Sequence, residues 1–156
     1  MTTTMNKRSQ AELELLGFTI AAAATGAIPV PATSAAIVAE NAVMMTRVAS
    51  TVGVPVSVAT VTSSLGFAGT ANITGRLLFV EAARAVGWFA GPLGVAGVSA
   101  LGAFTAGLQT WVLGQLVIAI CESGGSTLPR QRVAQVMEEA DAEYRSEVWE
   151  RVRNEV

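Results

Sequence analysis

The chain has 156 residues, of which 51% are hydrophobic and 14% are charged, and its mean hydropathy is +0.49. This length suits a single domain, and the basic residues are too scattered to form a face for nucleic acid. Because the chain has no histidine and one cysteine, its composition excludes an intrachain disulfide, a zinc site of cysteine and histidine ligands, and nucleophile–histidine catalytic pairs.

The first predicted helix covers residues 10–25 and follows a polar tail at 1–9. Gly26 ends this helix. The prolines in the segment 28–31 cannot continue it, because each proline lacks a backbone N–H and restricts the preceding residue to extended geometry. Two glutamates early in the helix stand where a signal peptide has a basic or neutral flank, which disfavours a cleaved signal.

Two further helices are predicted before the most apolar part of the chain. The second helix covers 33–52, from a cap at Thr33 or Ser34 to a stop at Gly53. The third covers 57–67, although its valines and threonines also suit a strand.

The fourth predicted helix covers 70–90 and is amphipathic. Its apolar side contains Leu78, Phe79, Ala82, Val86 and Phe89. Its other side contains Arg76, Glu81 and Arg84, which we expect to face water. Gly91 and Pro92 then break the helix, and a fifth helix is predicted over 93–121.

The fourth and fifth helices contain small residues that favour close helix packing, among them a GxxxG pair. The residues predicted to pack against a neighbouring helix are Gly87, Gly91, Gly94, Gly102, Thr105 and Gln109. A second, bulky set is predicted to contact a membrane or another subunit, with ordinary core packing as the alternative. These residues are Trp88, Phe89, Leu101, Phe104, Leu108 and Trp111.

A run of 37 residues, from 85 to 121, contains no charged side chain. A hydrocarbon core of about 30 Å is crossed by about 20 helical residues, so this run is long enough for one span but too short for two. Three arrangements fit: one tilted span, a shallow hairpin of the fourth and fifth helices, or a buried helix inside a soluble oligomer. The amides and hydroxyls within the run should face protein, because unsatisfied polar groups are costly in hydrocarbon.

The chain changes character after residue 121. A Ser/Gly linker at 122–127 leads to a charged amphipathic helix predicted over 128–156, with Pro129 in its first turn. Its apolar stripe consists of Val133, Met137, Ala140, Tyr144, Val148 and Val152. This stripe is predicted to be an interface, and two uses of it stay open: packing as a lid on its own domain, or contact with a second copy or another protein.

These elements predict an all-α fold. We expect a compact bundle of five to six helices, with a glycine-rich apolar central pair and a charged amphipathic C-terminal helix. The hydrophobic helical domain should cover 10–121. The single lysine and the lack of a GxxxxGK[ST] phosphate loop exclude nucleotide hydrolysis by this chain. We predict no enzyme activity and no catalytic, cofactor-binding or metal-binding residue.

Two short motifs resemble a family of bacterial proteins. The first consists of Ile28, Pro29, Pro31, Asn41, Met45 and Gly53, and the second of Pro92, Gly94, Thr110, Trp111 and Gly114. In this order they resemble the YcjF-like domain-of-unknown-function proteins, hydrophobic helical domains found beside or fused to GTPases. The resemblance covers about residues 26–124.

The chain departs from the family pattern at three points. Thr33 or Ser34 replaces an acidic residue, Asn41 replaces a glutamine, and no GTPase domain is present. The resemblance implies a membrane-associated helical module without catalytic residues, which either works without a GTPase or binds one supplied in trans.

Two functions are consistent with the sequence. The first is a membrane-associated, non-catalytic assembly protein that inserts or packs glycine-rich helices at a bilayer and oligomerises or recruits a partner through its C-terminal helix. The expected location is then the bacterial inner membrane. The second is a soluble, cytoplasmic, self-assembling scaffold that buries its apolar surface between subunits. Both predict a homo-oligomer, and neither involves nucleic acid.

Overall fold

The structure, a computed structural model, describes residues 6–30 and 33–156, apart from the side chains at positions 67–73, 76, 77, 79 and 88. Every regular element in these ranges is helical, which confirms the predicted all-α bundle. The helices are α1 (Lys7–Ala27), α2 (Thr33–Val52), α3 (Val58–Phe89), α4 (Gly91–Glu122), α5 (Arg130–Glu143) and α6 (Trp149–Arg153), with a π-helical turn at Tyr144–Val148.

The first helix begins earlier than the sequence pattern predicts. The side chain of Asn6 accepts a hydrogen bond from the backbone N–H of Arg8, so that the helix starts at Lys7 rather than at residue 10. Part of the predicted polar tail is therefore helical, and residues 1–5 of that tail lie outside the described residues. Helix α2 has the predicted bounds and ends at Gly53, whose φ of 88° is unfavourable for other residues.

The third and fourth predicted helices form one element, α3, with a kink at Gly66. This glycine has φ 64° and ψ −175°, which interrupts the helical geometry close to the predicted break. The first part is helical rather than a strand, and the side chain of Ser57 caps it by accepting a hydrogen bond from the N–H of Thr60 at 3.1 Å.

Helices α3 and α4 form an antiparallel hairpin. The turn between them places Gly91 at a φ of 76°, and Pro92 follows in the first turn of α4, where its missing N–H removes no helical hydrogen bond. Beyond the turn the helices come close at two glycines: a Cβ on Gly87 would lie 2.5 Å from Val98 Cγ2, and one on Gly94 would lie 2.7 Å from the carbonyl oxygen of Gly87.

The other helices surround α4. Contacts join α1 to α2, α2 to α3, α3 to α5, and α6 back to α1, while α1, α2, α3 and α5 also contact α4. As a result, every residue from 106 to 121 is buried, whichever way its side chain points. A helix that is apolar on all sides needs such an environment or a membrane, and here the ring of helices supplies it.

The C-terminal helix packs its apolar stripe onto this bundle. The buried residues are Val133, Val136, Ala140, Tyr144, Val148 and Val152, so Val136 occupies the core position predicted for Met137, which is only partly buried. Most successive residues of the stripe are four positions apart, and four residues of an α-helix advance about 40° more than one full turn. In a regular α-helix the stripe would therefore rotate away from the core. The π-turn corrects this rotation, because its i→i+5 bond from Trp149 N–H to Tyr144 C=O closes a wider turn.

Candidate functional site

The end of the α3–α4 hairpin is an exposed apolar surface. We define the hairpin tip as residues 85–101, which carry no charge. Phe89 is 94% exposed, Leu93 is 89% exposed and Val86 is 68% exposed. None of residues 91–101 is buried, whereas the rest of α4 is almost wholly buried. Exposed apolar side chains grouped in this way are typical of surfaces that bind lipid or protein.

The tip begins where α1 ends. Gly26 of α1 lies directly against Gly102 of α4, and α1 stops one residue later, at Ala27. From Gly102 to Gly91 the hairpin extends by about 16 Å, at about 1.5 Å per residue. Along this length α3 and α4 form the walls of an open groove of about 530 Å³, which is lined by alanine, glycine, valine and leucine.

The residues predicted to pack against a neighbouring helix have different roles. Gly87 and Gly94 pack α3 against α4, and Gly102 packs α4 against α1. Gly91 packs against no other helix of the described chain: a Cβ there would meet no atom within 4 Å, and its positive φ makes it the turn residue. Thr105 is half-buried and Gln109 is buried.

The bulky set predicted to contact a membrane or subunit divides into exposed and buried residues. Leu108 and Trp111 are core residues of this chain, 3% and 5% exposed, so they are not available for lipid in this structure. Phe104 is partly buried and packs against aromatic rings of the C-terminal helix. Leu101 is 37% exposed, Phe89 is almost fully exposed, and the side chain of Trp88 lies outside the described residues.

The apolar stripe of the C-terminal helix contacts its own bundle. Tyr144 is fully buried and lies against Gly107, and Trp111 Nε1 donates a hydrogen bond to Glu143 at 3.3 Å. The sequence left two uses of this stripe open, and in the structure it packs as a lid on its own domain. In this conformation the stripe is covered by its own bundle, so its buried residues are not exposed to another chain.

The orientation of α3 is opposite to the expected one. Leu78 is 66% exposed and Val86 is also exposed, whereas Arg84, which we expected to face water, is 0% exposed. The sequence shows two different faces on this helix and places Glu81 beside Arg84, but it does not show that a backbone carbonyl group of another helix also lies there. The guanidinium has two acceptors: Glu81 on the same helix and the carbonyl oxygen of Gly26 on α1, each 2.7 Å from an Arg84 nitrogen.

Several polar groups lie inside the bundle. Thr110 donates a hydrogen bond to Asn41 Oδ1 at 2.7 Å, which joins α4 to α2. Within the described chain, Gln109 Oε1, Tyr144 Oη, Glu40 Oε2 and Arg84 Nε are buried without a hydrogen-bond partner. Burial raises the pKa of the Tyr144 hydroxyl above its ordinary range. These groups lie on different helices and do not form an acid–base pair.

The described residues contain no group of three cysteine or acidic side chains that could hold a metal ion. The chain matches no protein family, no curated protein and no solved structure. The likeness to YcjF-like proteins therefore stays a hypothesis, and Pro31 of its first motif lies outside the described residues.

One helix in the described part of the chain is long and apolar enough to cross a membrane. It is α4, and 89% of its most apolar window is buried inside the protein. The core helix of a soluble protein has the same length and composition, so α4 alone does not distinguish a membrane protein from a soluble one.

Proposed function

We propose that this chain is a non-catalytic, membrane-associated assembly protein that attaches to a bilayer through its hairpin tip. The observation that carries the proposal is the exposure of Phe89, Leu93 and Val86 at the end of a hairpin whose tip has no charge. Side chains of this kind gain about 1.5–3 kcal/mol each when they leave water. No segment of the described chain covers them.

The dimensions of the tip favour entry into one leaflet. Measured from the turn at Gly91, the uncharged tip is about 16 Å long on α4 but only about 9 Å long on α3, which is less than the thickness of about 15 Å of one half of a hydrocarbon core. Both ends of the inserted segment then stay on the same side of the membrane. This arrangement corresponds to the shallow hairpin among the three arrangements that the sequence permits, and it leaves the buried half of α4 inside the bundle.

The C-terminal helix would stay in water in this arrangement. Its outer face carries ion pairs such as Arg145–Asp141 at 2.6 Å and Arg153–Glu150 at 3.4 Å, which contribute little to stability but keep that surface hydrated. Recruitment of a second copy or of another protein would use this charged face. A GTPase partner is suggested by the resemblance alone.

The alternative function is a soluble scaffold in which the tip of one copy packs against another copy. The observation that favours it is the burial of α4, because a bundle that already encloses its most apolar helix does not need lipid. In this case the small residues along the groove would allow a partner helix to approach closely.

Flotation of the purified protein with lipid vesicles tests the proposal. We expect the wild-type chain to float and Phe89→Arg to lose roughly 10- to 100-fold in vesicle binding, because an arginine is costly within hydrocarbon. Leu13→Arg is the matched control: Leu13 is 58% exposed on α1, away from the tip, so this variant should float like the wild type.

The same proteins distinguish the scaffold. If the wild type forms a large particle without membranes and Phe89→Arg dissociates it, the scaffold is correct and the membrane proposal is wrong. Equal flotation of Phe89→Arg and wild type would also refute attachment through the tip. Both substitutions replace exposed side chains, so the folded bundle should tolerate them.

A further inference from the structure

The base of the hairpin contains a fully buried arginine in a network of hydrogen bonds. Arg84 on α3 has no exposed side-chain area and bonds to Glu81 and to the carbonyl oxygen of Gly26, both at 2.7 Å. Glu81 in turn accepts hydrogen bonds from the backbone N–H of Ser34, at 3.0 Å, and from the Ser34 hydroxyl. We call these four residues the Arg84 node.

The node satisfies backbone groups at the ends of two helices. Helix α1 ends at Ala27, so the carbonyl group of Gly26 lacks a partner within α1, and α2 begins at Thr33, so the N–H of Ser34 lacks one within α2. A guanidinium at a helix C-terminus and a carboxylate at a helix N-terminus also complement the helix dipoles. The node therefore ties α3 to both α1 and α2 immediately before the tip begins.

We propose that the Arg84 node is the restraint that keeps the bundle closed while the hairpin tip is in a membrane. This inference rests on the proposed function. Opening would uncover the apolar surfaces of α4 and of the helices around it, and a bilayer can cover those surfaces where water cannot. Because α4 is also long enough to span a bilayer, lipid makes an open form less costly than it is in solution. Opening separates α3 from α1 and α2, which breaks the node.

The position of the node also limits how far the hairpin can enter. Arg84 lies about 10 Å along α3 from the turn at Gly91, so a hairpin that crossed the bilayer would carry Arg84 and Glu81 into the hydrocarbon. A charged side chain there is costly even when it is paired. With the node intact, insertion stops at the tip.

Cys121 provides a probe of opening. It is the only cysteine in the chain, it is 3% exposed, and its Sγ lies 3.7 Å from the carbonyl oxygen of Val54. Along α4 it is about 45 Å from Gly91, which places it outside a membrane that holds only the tip. Its alkylation therefore requires opening of the bundle and is not blocked by lipid.

The test measures the rate of Cys121 alkylation by N-ethylmaleimide, with and without vesicles of phosphatidylcholine and phosphatidylglycerol. Ser34→Ala removes one hydrogen bond to Glu81 and leaves the ion pair, whereas Ser50→Ala, on the exposed face of the same helix, is the matched control. Circular dichroism in solution establishes that each variant is folded before vesicles are added.

We expect vesicles to leave the alkylation rate of wild type and Ser50→Ala unchanged. On vesicles, Ser34→Ala should react about tenfold faster than wild type, as expected when one hydrogen bond to a charged group is lost, and Arg84→Leu should react faster still. If Arg84→Leu does not fold, the Ser34→Ala result decides the question.

Two results would overturn the inference while leaving the proposed function intact. The first is equal alkylation of vesicle-bound Ser34→Ala and vesicle-bound wild type. The second is rapid alkylation of the wild type as soon as it binds vesicles, because the bundle would then open with its node intact. If the folded wild type does not bind vesicles at all, the proposed function is refuted and this role of the node with it.

Discussion

Gly26→Ala tests how closely α1 and α4 cross. A Cβ on Gly26 would lie 2.6 Å from Ala106 Cβ and closer still to the carbonyl oxygen of Gly102. Because one of these atoms belongs to the backbone of α4, the overlap is relieved only if α1 moves away from the core. Such overpacking costs about 1–3 kcal/mol or more, while alanine returns up to about 1 kcal/mol of helix propensity. We expect a net loss of about 1–2 kcal/mol in the free energy of unfolding.

Gly17→Ala is the control for this measurement. It lies on the same helix, and a Cβ there would meet no atom of the described chain within 4 Å, so only the gain in helix propensity of about 0.5–1 kcal/mol should remain. Urea unfolding followed by circular dichroism compares the two variants, which should differ by about 1.5–3 kcal/mol. If Gly26→Ala were as stable as Gly17→Ala, the close crossing of α1 and α4 would be refuted.

The remaining predictions use the same unfolding assay. Tyr144→Phe removes a buried hydroxyl that has no hydrogen-bond partner in the described chain, so its free energy of unfolding should lie within about 1 kcal/mol of wild type or exceed it; a loss above about 2 kcal/mol would contradict the geometry. Burial raises the pKa of Tyr144 above its ordinary value of 10.0, so the folded chain keeps a proton that the unfolded chain loses. The free energy of unfolding should therefore fall as the pH rises above about 10, less steeply in Tyr144→Phe, and equal slopes would contradict this assignment. Leu15→Ala, which removes a fully buried side chain packed on Gly114, should cost about 2–5 kcal/mol, whereas Leu13→Ala at an exposed position of the same helix should cost less than about 0.5 kcal/mol.

The uncharged run at 85–121 has two physical roles in this fold. Its first half forms the exposed hairpin tip, and its second half is the buried centre of the bundle. Leu93 and Leu116 show the contrast: the first is 89% exposed and the second is 0% exposed, although both are leucines on the same helix. The exposed apolar surface is therefore much smaller than hydropathy alone indicates.

The position of Arg84 could not be derived from the sequence. Periodicity separates the two sides of α3, and the usual rule assigns the charged side to water. In the structure Arg84 is inside, where the end of α1 brings a carbonyl group to it and Glu81 of the same helix forms an ion pair with it. The carbonyl group belongs to a residue 58 positions away along the chain, whereas Glu81 is 3 positions away, so helical periodicity can indicate only the second contact.

The sequence by itself determined the all-α class, most helix boundaries and the break at Gly91, because these depend on local backbone preferences and on hydrophobic periodicity. It also determined which helix is the most apolar. Only the tertiary structure decided which part of α4 is enclosed, that the stripe of the C-terminal helix packs on its own bundle, and that Arg84 is buried. Burial depends on which surfaces meet, and an apolar face has the same sequence pattern whether it meets a neighbouring helix, a lipid or a second chain.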